Sequence, residues 1–182
     1  MLNVGHTLPN ARIYGPGVRF AIWLQGCTLG CNGCWNQQFW PTEGGELIAV
    51  EDLMVQIKNA DVEGITLLGG EPLQQSENVL ALIREVKSEG LSVFLYTGYE
   101  RKEFTTTMKE CVALSDIVIS GRYVDQKRDP HLRWRGSTNQ TIEFPTERYS
   151  SLAINEVREV EVHIGRGNAM IYGYPNEDEK IR

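Results

Sequence analysis

The sequence predicts an α/β fold built on a parallel sheet, and three observations carry that expectation. Four short apolar runs rich in β-branched residues, each stopped by glycine or leading directly to one, alternate with stretches whose apolar residues recur at helical spacing. That alternation is the pattern of parallel strands joined by right-handed crossovers. All four predicted strand ends carry unusual chemistry, and ligands in such sheets sit beyond the C-terminal ends of the strands. Finally, 182 residues with 41% apolar and 23% charged content are enough for one globular domain with a real core.

In chain order, VRFAIWLQ (Val18 to Gln25) is the first predicted strand and leads straight into a cysteine-rich run. Glu51 to Ala60 places Leu53, Met54, Ile57 and Ala60 at helical spacing. ITLLGG (Ile65 to Gly70) is the second strand. Ser76 to Glu89 spaces Val79, Leu80, Ile83 and Val86 as a helix, with Ser76 the expected N-cap and Gly90 the expected stop. LSVFLYTG (Leu91 to Gly98) is the third strand, Glu100 to Leu114 a third helix, and DIVISG (Asp116 to Gly121) the fourth strand. After Gly136 the pattern changes. NQTIEF, VREVEVHI and AMIYGYP read as short strands, the last two joined around Gly165 to Gly167 in an antiparallel hairpin with one wet face. The tail NEDEKIR is expected to fray.

The net charge of −6 argues against a general nucleic-acid binder, which carries a basic face. MLNVGHTLPNARIYGPG shows no basic region followed by an apolar run, and no stretch approaches the roughly 20 apolar residues of a membrane span. A soluble, cytoplasmic protein is expected. Thiols stay reduced there, so clustered cysteines point to metal binding or catalysis rather than disulfides.

Cys27, Cys31 and Cys34 follow C-x3-C-x2-C within QGCTLGCNGCW. Structural zinc takes four protein ligands, and a ferredoxin-type cluster takes four cysteines. The remaining cysteine, Cys111, sits in a predicted helix and reads as a small core residue. His6, His131 and His163 are scattered and read as surface or locally hydrogen-bonded residues. An open fourth position therefore fits better than a closed structural site.

C-x3-C-x2-C followed by an aromatic residue, here Trp35, resembles the signature of the radical S-adenosylmethionine (SAM) superfamily. YGPGVR (Tyr14 to Arg19), GGEP (Gly69 to Pro72), YTGY (Tyr96 to Tyr99), SGRYVDQKRDP (Ser120 to Pro130) and RWRGSTNQ (Arg133 to Gln140) follow in the order found in the activating proteins of anaerobic ribonucleotide reductases and their small relatives. The resemblance implies a single domain over residues 1–182: a partial (β/α) barrel of the radical SAM type, core about 13–140, with a C-terminal antiparallel β-hairpin extension over about 141–175.

It further implies that Cys27, Cys31 and Cys34 ligate three irons of a [4Fe-4S] cluster, leaving the fourth iron to chelate SAM. Gly33 and Trp35 would approach the adenine. Gly69 and Gly70 would present backbone to the methionine amino group with Glu71 near by, and Thr97 and Tyr99 would touch ribose or carboxylate. Glycines do permit close backbone approach, and a carboxylate suits an ammonium partner. The basic stretch of Arg122, Lys127, Arg128, Arg133 and Arg135, with Asp125 and Asp129, would face the SAM carboxylate, a partner or solvent.

The activity implied is reductive cleavage of SAM to a 5′-deoxyadenosyl radical, with no side-chain base as catalyst. Its target would be a glycyl radical enzyme such as anaerobic ribonucleotide reductase, and its electron source a flavodoxin-like reductant. No membrane or nucleic-acid partner is implied. The chain runs about forty residues past Gln140, where substrate would enter, which leaves radical modification of a peptide or small molecule as an alternative within the class. Outside it stand a non-catalytic iron–sulfur electron carrier and a zinc-binding structural module that would need Cys111 or a histidine as fourth ligand.

Overall fold

The computed structural model describes residues 1–154, 159–165 and 168–173. Its main sheet has seven strands: β1 (Leu2–Ala11), β2 (Arg19–Leu24), β3 (Glu46–Ile48), β4 (Gly64–Gly69), β5 (Ser92–Thr97), β6 (Ile117–Ser120) and β7 (Thr141–Glu143), in the order β3-β1-β2-β4-β5-β6-β7. β2, β4, β5 and β6 run parallel, and β1, β3 and β7 flank them antiparallel. Every residue of β2 is buried: paired strands flank both its edges, and its side chains are covered on both faces, Phe20, Ile22 and Leu24 on one and Ala21 and Trp23 on the other. That is why its sequence is a continuous apolar run rather than an alternation.

The crossovers are α1 (Val50–Asn59), α2 (Ser76–Ser88) and α3 (Thr106–Leu114). All three pack on one face of the sheet. Leu53 and Ile57 of α1, Val79 and Ile83 of α2, and Met108 of α3 share a core with Ile22, Leu67 and Leu95. The opposite face is covered by aromatic side chains instead of helices, with Trp23 and Tyr172 in one cluster and Phe94 and Trp134 in another. Trp134, held at φ 63°, meets Phe94 edge-on at 5.3 Å and pins the segment after β6.

Two helix expectations need correction. Ser76 is the first residue of α2 rather than its N-cap. Gln75 holds the cap position, but its side chain bonds to Asn3 and Gln25 rather than to the helix N–H groups, and a 3-10 turn over Pro72–Gln75 runs directly into the helix. The third helix begins at Thr106 and not at Glu100. Glu100 and Glu103 form a capping box around a short 3-10 turn, Phe104 is extended, and Thr105 caps α3 by accepting from Met108 N–H. Gly90 does end α2, at φ 73°, a backbone shape natural to glycine.

At the N-terminal end of the parallel strands Arg19 is completely buried. Its guanidinium donates to Thr66 Oγ1, Ile65 O, Ser92 O and Ser92 Oγ. Burial pulls its pKa down, while Tyr149 and Glu63 near by oppose that.

The expected hairpin is present as a separate two-stranded sheet of β8 (Val160–Gly165) and β9 (Asn168–Gly173). The expected turn at 166–167 and the tail from Asn176 lie outside the described residues. Its alternation is inverted relative to a polar wet face. Val160, Val162 and Ile164 point outward, Ile164 at 85% exposure, while Tyr172 faces the domain. The reason is the partners offered on the inner side. Arg12 N–H donates to Glu161, Gly173 N–H donates to the Tyr14 hydroxyl at 3.1 Å, and His6 Nε2 lies 3.0 Å from the Tyr172 hydroxyl.

Candidate active site

The cysteines follow β2 directly. The loop they occupy is tied back to the fold by Gly26 N–H donating to Phe39 O and Cys27 N–H to Trp40 O. Glycine 70 and Glu71, just past β4, donate their N–H groups to Leu24 O and Gly26 O at 2.7 and 2.8 Å. A Cβ on Gly70 would stand 2.3 Å from Gly26 O and 2.7 Å from Phe39 O, and one on Gly69 would stand 2.5 Å from Leu24 N. The two glycines of GGEP thus let the end of β4 close against the start of the cysteine loop.

Glu71 is buried, 1% exposed, and its carboxylate joins three segments. It accepts from Leu73 N–H at 2.9 Å, from the Thr97 hydroxyl at 2.8 Å and from Gly98 N–H at 2.7 Å. Burial pushes its carboxyl up to about 7 against the pull of those three donors. Thr97 in turn accepts from Tyr99 N–H. The ends of β4 and β5 are locked together by one carboxylate.

Around this knot lies a cleft lined by Cys27, Cys31, Cys34 and Trp35 from the first strand end and by Gly69, Gly70 and Glu71 from the second. Thr97 and Gly98 come from the third, and Gly121 and Tyr123 from the fourth. All four strand ends singled out in the sequence meet here. Gly33 and Tyr99 are not among the lining residues. Gly33, at φ 75°, lies against the Asp125 side chain, and Tyr99 lies beside the Arg122 guanidinium with its hydroxyl accepting from Gln74.

Asn36 N–H donates to the Cys34 sulfur at 3.4 Å, and the backbone at Leu29 and Tyr123 pulls the Cys27 and Cys31 thiols down less than burial raises them. Burial pushes the Cys27 and Cys31 thiols up, so a thiolate there needs a neighbouring cation. Among the described residues no three His, Cys, Asp or Glu side chains converge tightly enough for a single metal ion. A four-iron cluster sets a different demand, since each cysteine binds its own iron, and N–H donors to the sulfurs are the usual means of stabilising and tuning it. Three thiols lining one open cleft, with an N–H already directed at the Cys34 sulfur, fit such a cluster. Cys111 is no fourth ligand: it is fully buried under α2, its sulfur 3.5 Å from Ser76 O, with its thiol pushed up to about 12 by burial.

The basic stretch braces the site. Arg122 donates to Glu103 and to Gly98 O at 2.7 Å, Arg128 lies 5.0 Å over the Trp35 ring, and Arg133 lies 4.8 Å over Trp134. Arg135 donates to Gln140 O. The cleft walls also include Tyr14, Trp23 and Tyr96, none of which was singled out as a site residue. Tyr14 and Tyr96 did stand within the quoted YGPGVR and YTGY segments, whereas Trp23 carries no signal beyond an apolar strand.

The chain matches the model of the 4Fe-4S single cluster domain over residues 13–143, and it belongs to that family. Among individual relatives, it is 31% identical over 150 residues to the anaerobic ribonucleoside-triphosphate reductase-activating protein of Escherichia coli K12, covering 78% of this chain and 97% of that one. The Haemophilus influenzae protein of the same name is 34% identical over 145 residues, covering 74% and 92%. That of Enterobacteria phage T4 is 31% identical over 149 residues, covering 78% and 93%. The crystal structure of QueE from Escherichia coli superposes with a TM-score of 0.47 at 16% identity, over 63% of this chain and 68% of that one.

Proposed function

We infer that this chain is a radical SAM activating protein. In this reading Cys27, Cys31 and Cys34 hold a [4Fe-4S] cluster, SAM lies in the adjoining cleft, and hydrogen is removed from a glycine of an anaerobic ribonucleotide reductase or a similar glycyl radical enzyme. The observation that carries it is the trio of thiols lining one cleft where four parallel strands end. When bound, the cluster and SAM together supply reductive C–S cleavage and a 5′-deoxyadenosyl radical.

The chain's own residues bind and shield. Gly33 and Trp35 flank the last ligand and serve the adenine side. Gly69, Gly70 and Glu71 serve the methionine amino group, the buried carboxylate offering a counter-charge to ammonium and sulfonium. Thr97 and Tyr99 hold Glu71 and the end of β5 in register for ribose or carboxylate. Tyr14, Trp23 and Tyr96 keep water from the reacting centre.

The fold reading is a partial (β/α) barrel, supported by three crossovers on one sheet face, where a doubly wound sheet would cover both. Residues 1–182 form one domain, with the core at about 13–140 and the β extension at about 141–175. The target is supported by relatives matched over nearly their whole length and named as activators of anaerobic ribonucleoside-triphosphate reductase. A flavodoxin-like reductant in the cytoplasm completes the reading. Neither a nucleic acid nor a membrane is part of it: the net charge is −6, and no helix of the described residues is long and apolar enough to cross a membrane.

The test is electron paramagnetic resonance of the reductase after anaerobic incubation with the reconstituted protein, SAM and a reductant. A glycyl radical signal is expected with the wild type and not with Cys31→Ala. A silent reductase in a mixture that does cleave SAM removes the target from the reading.

A further inference from the structure

We propose that a groove between the β8–β9 hairpin and the loop after the cysteines admits an extended, uncharged segment of the partner polypeptide, and that Met170 and Tyr172 help select it. This rests on the function proposed above and adds to it a specificity element from outside the 13–143 segment that the family model matches.

The groove, about 450 Å³, is lined by Trp35, Gln38 and Phe39 from the cysteine loop, by Met170 and Tyr172 from β9, and by His6 from β1. That volume lies within the range of ligand sites. Tyr14, Trp23 and Gly173 line both the groove and the cysteine cleft, so an occupant of one reaches the other. The hairpin thereby extends the wall of the site outward.

The chemistry of the lining decides the class of occupant. No Asp, Glu, Lys or Arg is among the groove's described lining residues, and burial holds His6 below its ordinary value and hence neutral near pH 7. A phosphate-bearing nucleotide would bring charge into a space with no counter-charge, at a large desolvation cost. A neutral peptide suits it: aromatic faces and a thioether cover its planes, and the amides of Asn36 and Gln38 offer donor and acceptor groups to its backbone.

Tyr172 is pre-set for this task. Its hydroxyl lies 3.0 Å from His6 Nε2 and donates to the Met170 sulfur, and its ring meets Trp23 at 5.9 Å and His163 edge-on at 5.3 Å. A ring fixed by so many neighbours presents a rigid edge to what enters. Met170 beside it is 45% exposed and unbranched, suited to fitting an irregular chain.

The test places opposite charges in the groove, Met170→Lys from the hairpin and Gln38→Glu from the loop, with Met170→Leu as the conservative control. The dissociation constant between the cluster-loaded protein and the anaerobic ribonucleotide reductase of the same organism is measured by anaerobic calorimetry. SAM cleavage without the reductase is measured alongside. Each charged variant is expected to weaken binding by about tenfold or more. Met170→Leu should bind like wild type, and all three should cleave SAM at the wild-type rate. Charges of opposite sign acting alike exclude long-range steering as the cause. Wild-type binding in either charged variant overturns the proposal. If the wild type cleaves SAM but does not bind the reductase, the peptide occupant is overturned and the radical chemistry stands. Tight binding without SAM cleavage does the reverse.

Discussion

Replacing Glu71 by glutamine tests how the site is held together. In the wild type both carboxylate oxygens are engaged: one by Leu73 N–H and the Thr97 hydroxyl, the other by Gly98 N–H. Glutamine has one carbonyl oxygen, so its NH2 must face the Gly98 N–H, leaving a buried donor unpaired at a cost of about 1–3 kcal/mol. The pH dependence is the sharper readout. Burial raises the folded carboxyl from its ordinary 4.5 to about 7, so the folded state holds the proton more tightly than the unfolded chain. Stability from this group is therefore complete below pH 4.5 and lost as pH rises through 7. At about 1.4 kcal/mol per pH unit the loss comes to roughly 3 kcal/mol. Glutamine does not titrate, so the stability difference between Glu71→Gln and wild type should change by that amount between pH 4.5 and pH 8. Urea unfolding of the cluster-free chain across this range measures it. Parallel pH curves for the two proteins would show that Glu71 ionises normally in the fold and would refute the reasoning.

Further outcomes follow from the same geometry. Gly70→Ala forces a Cβ against two backbone oxygens and should cost about 1–3 kcal/mol, lowering the thermal midpoint by several degrees and reducing iron uptake on reconstitution. Arg19→Leu leaves the carbonyls of Ile65 and Ser92 without their buried donor and should destabilise urea unfolding by about 3 kcal/mol. Arg19→Lys should recover little, since an ammonium lacks the planar fork that spans those acceptors. Cys111→Ala should keep the full iron content of the wild type and lose about 1 kcal/mol of stability, because its thiol is packed in the core away from the cleft.

Much of this architecture is legible in the chain. β2, β4, β5 and β6 are runs of Val, Ile, Leu and aromatic residues bounded by glycine because they lie inside the sheet, where burial on both faces leaves nothing to alternate. β1 is not legible. Asn3, Gly5, Pro9 and Asn10 read as loop, and the segment becomes a strand only because β2 and β3 lie on either side of it. The pairing with β2 needs two irregularities, between Val4 and His6 and between Leu8 and Ala11. Tertiary pairing overrides local propensity there.

The site divides the same way. Its cysteines and glycines stand out as motifs, and the strand-end rule brings Cys27, Gly69, Thr97 and Gly121 to one place. The inward turn of Glu71 onto Thr97 and Gly98 is a long-range contact with no sequence signal. So is the docking of Tyr172 on His6, which spans 166 residues.

The central claim is tested most directly by SAM cleavage. The protein is reconstituted anaerobically with iron and sulfide, reduced with dithionite, and given SAM in the presence and absence of anaerobic ribonucleotide reductase. The account predicts 5′-deoxyadenosine from the wild type and none from Cys31→Ala. A wild-type protein that carries its four irons yet forms no 5′-deoxyadenosine, even with the reductase present, would contradict it.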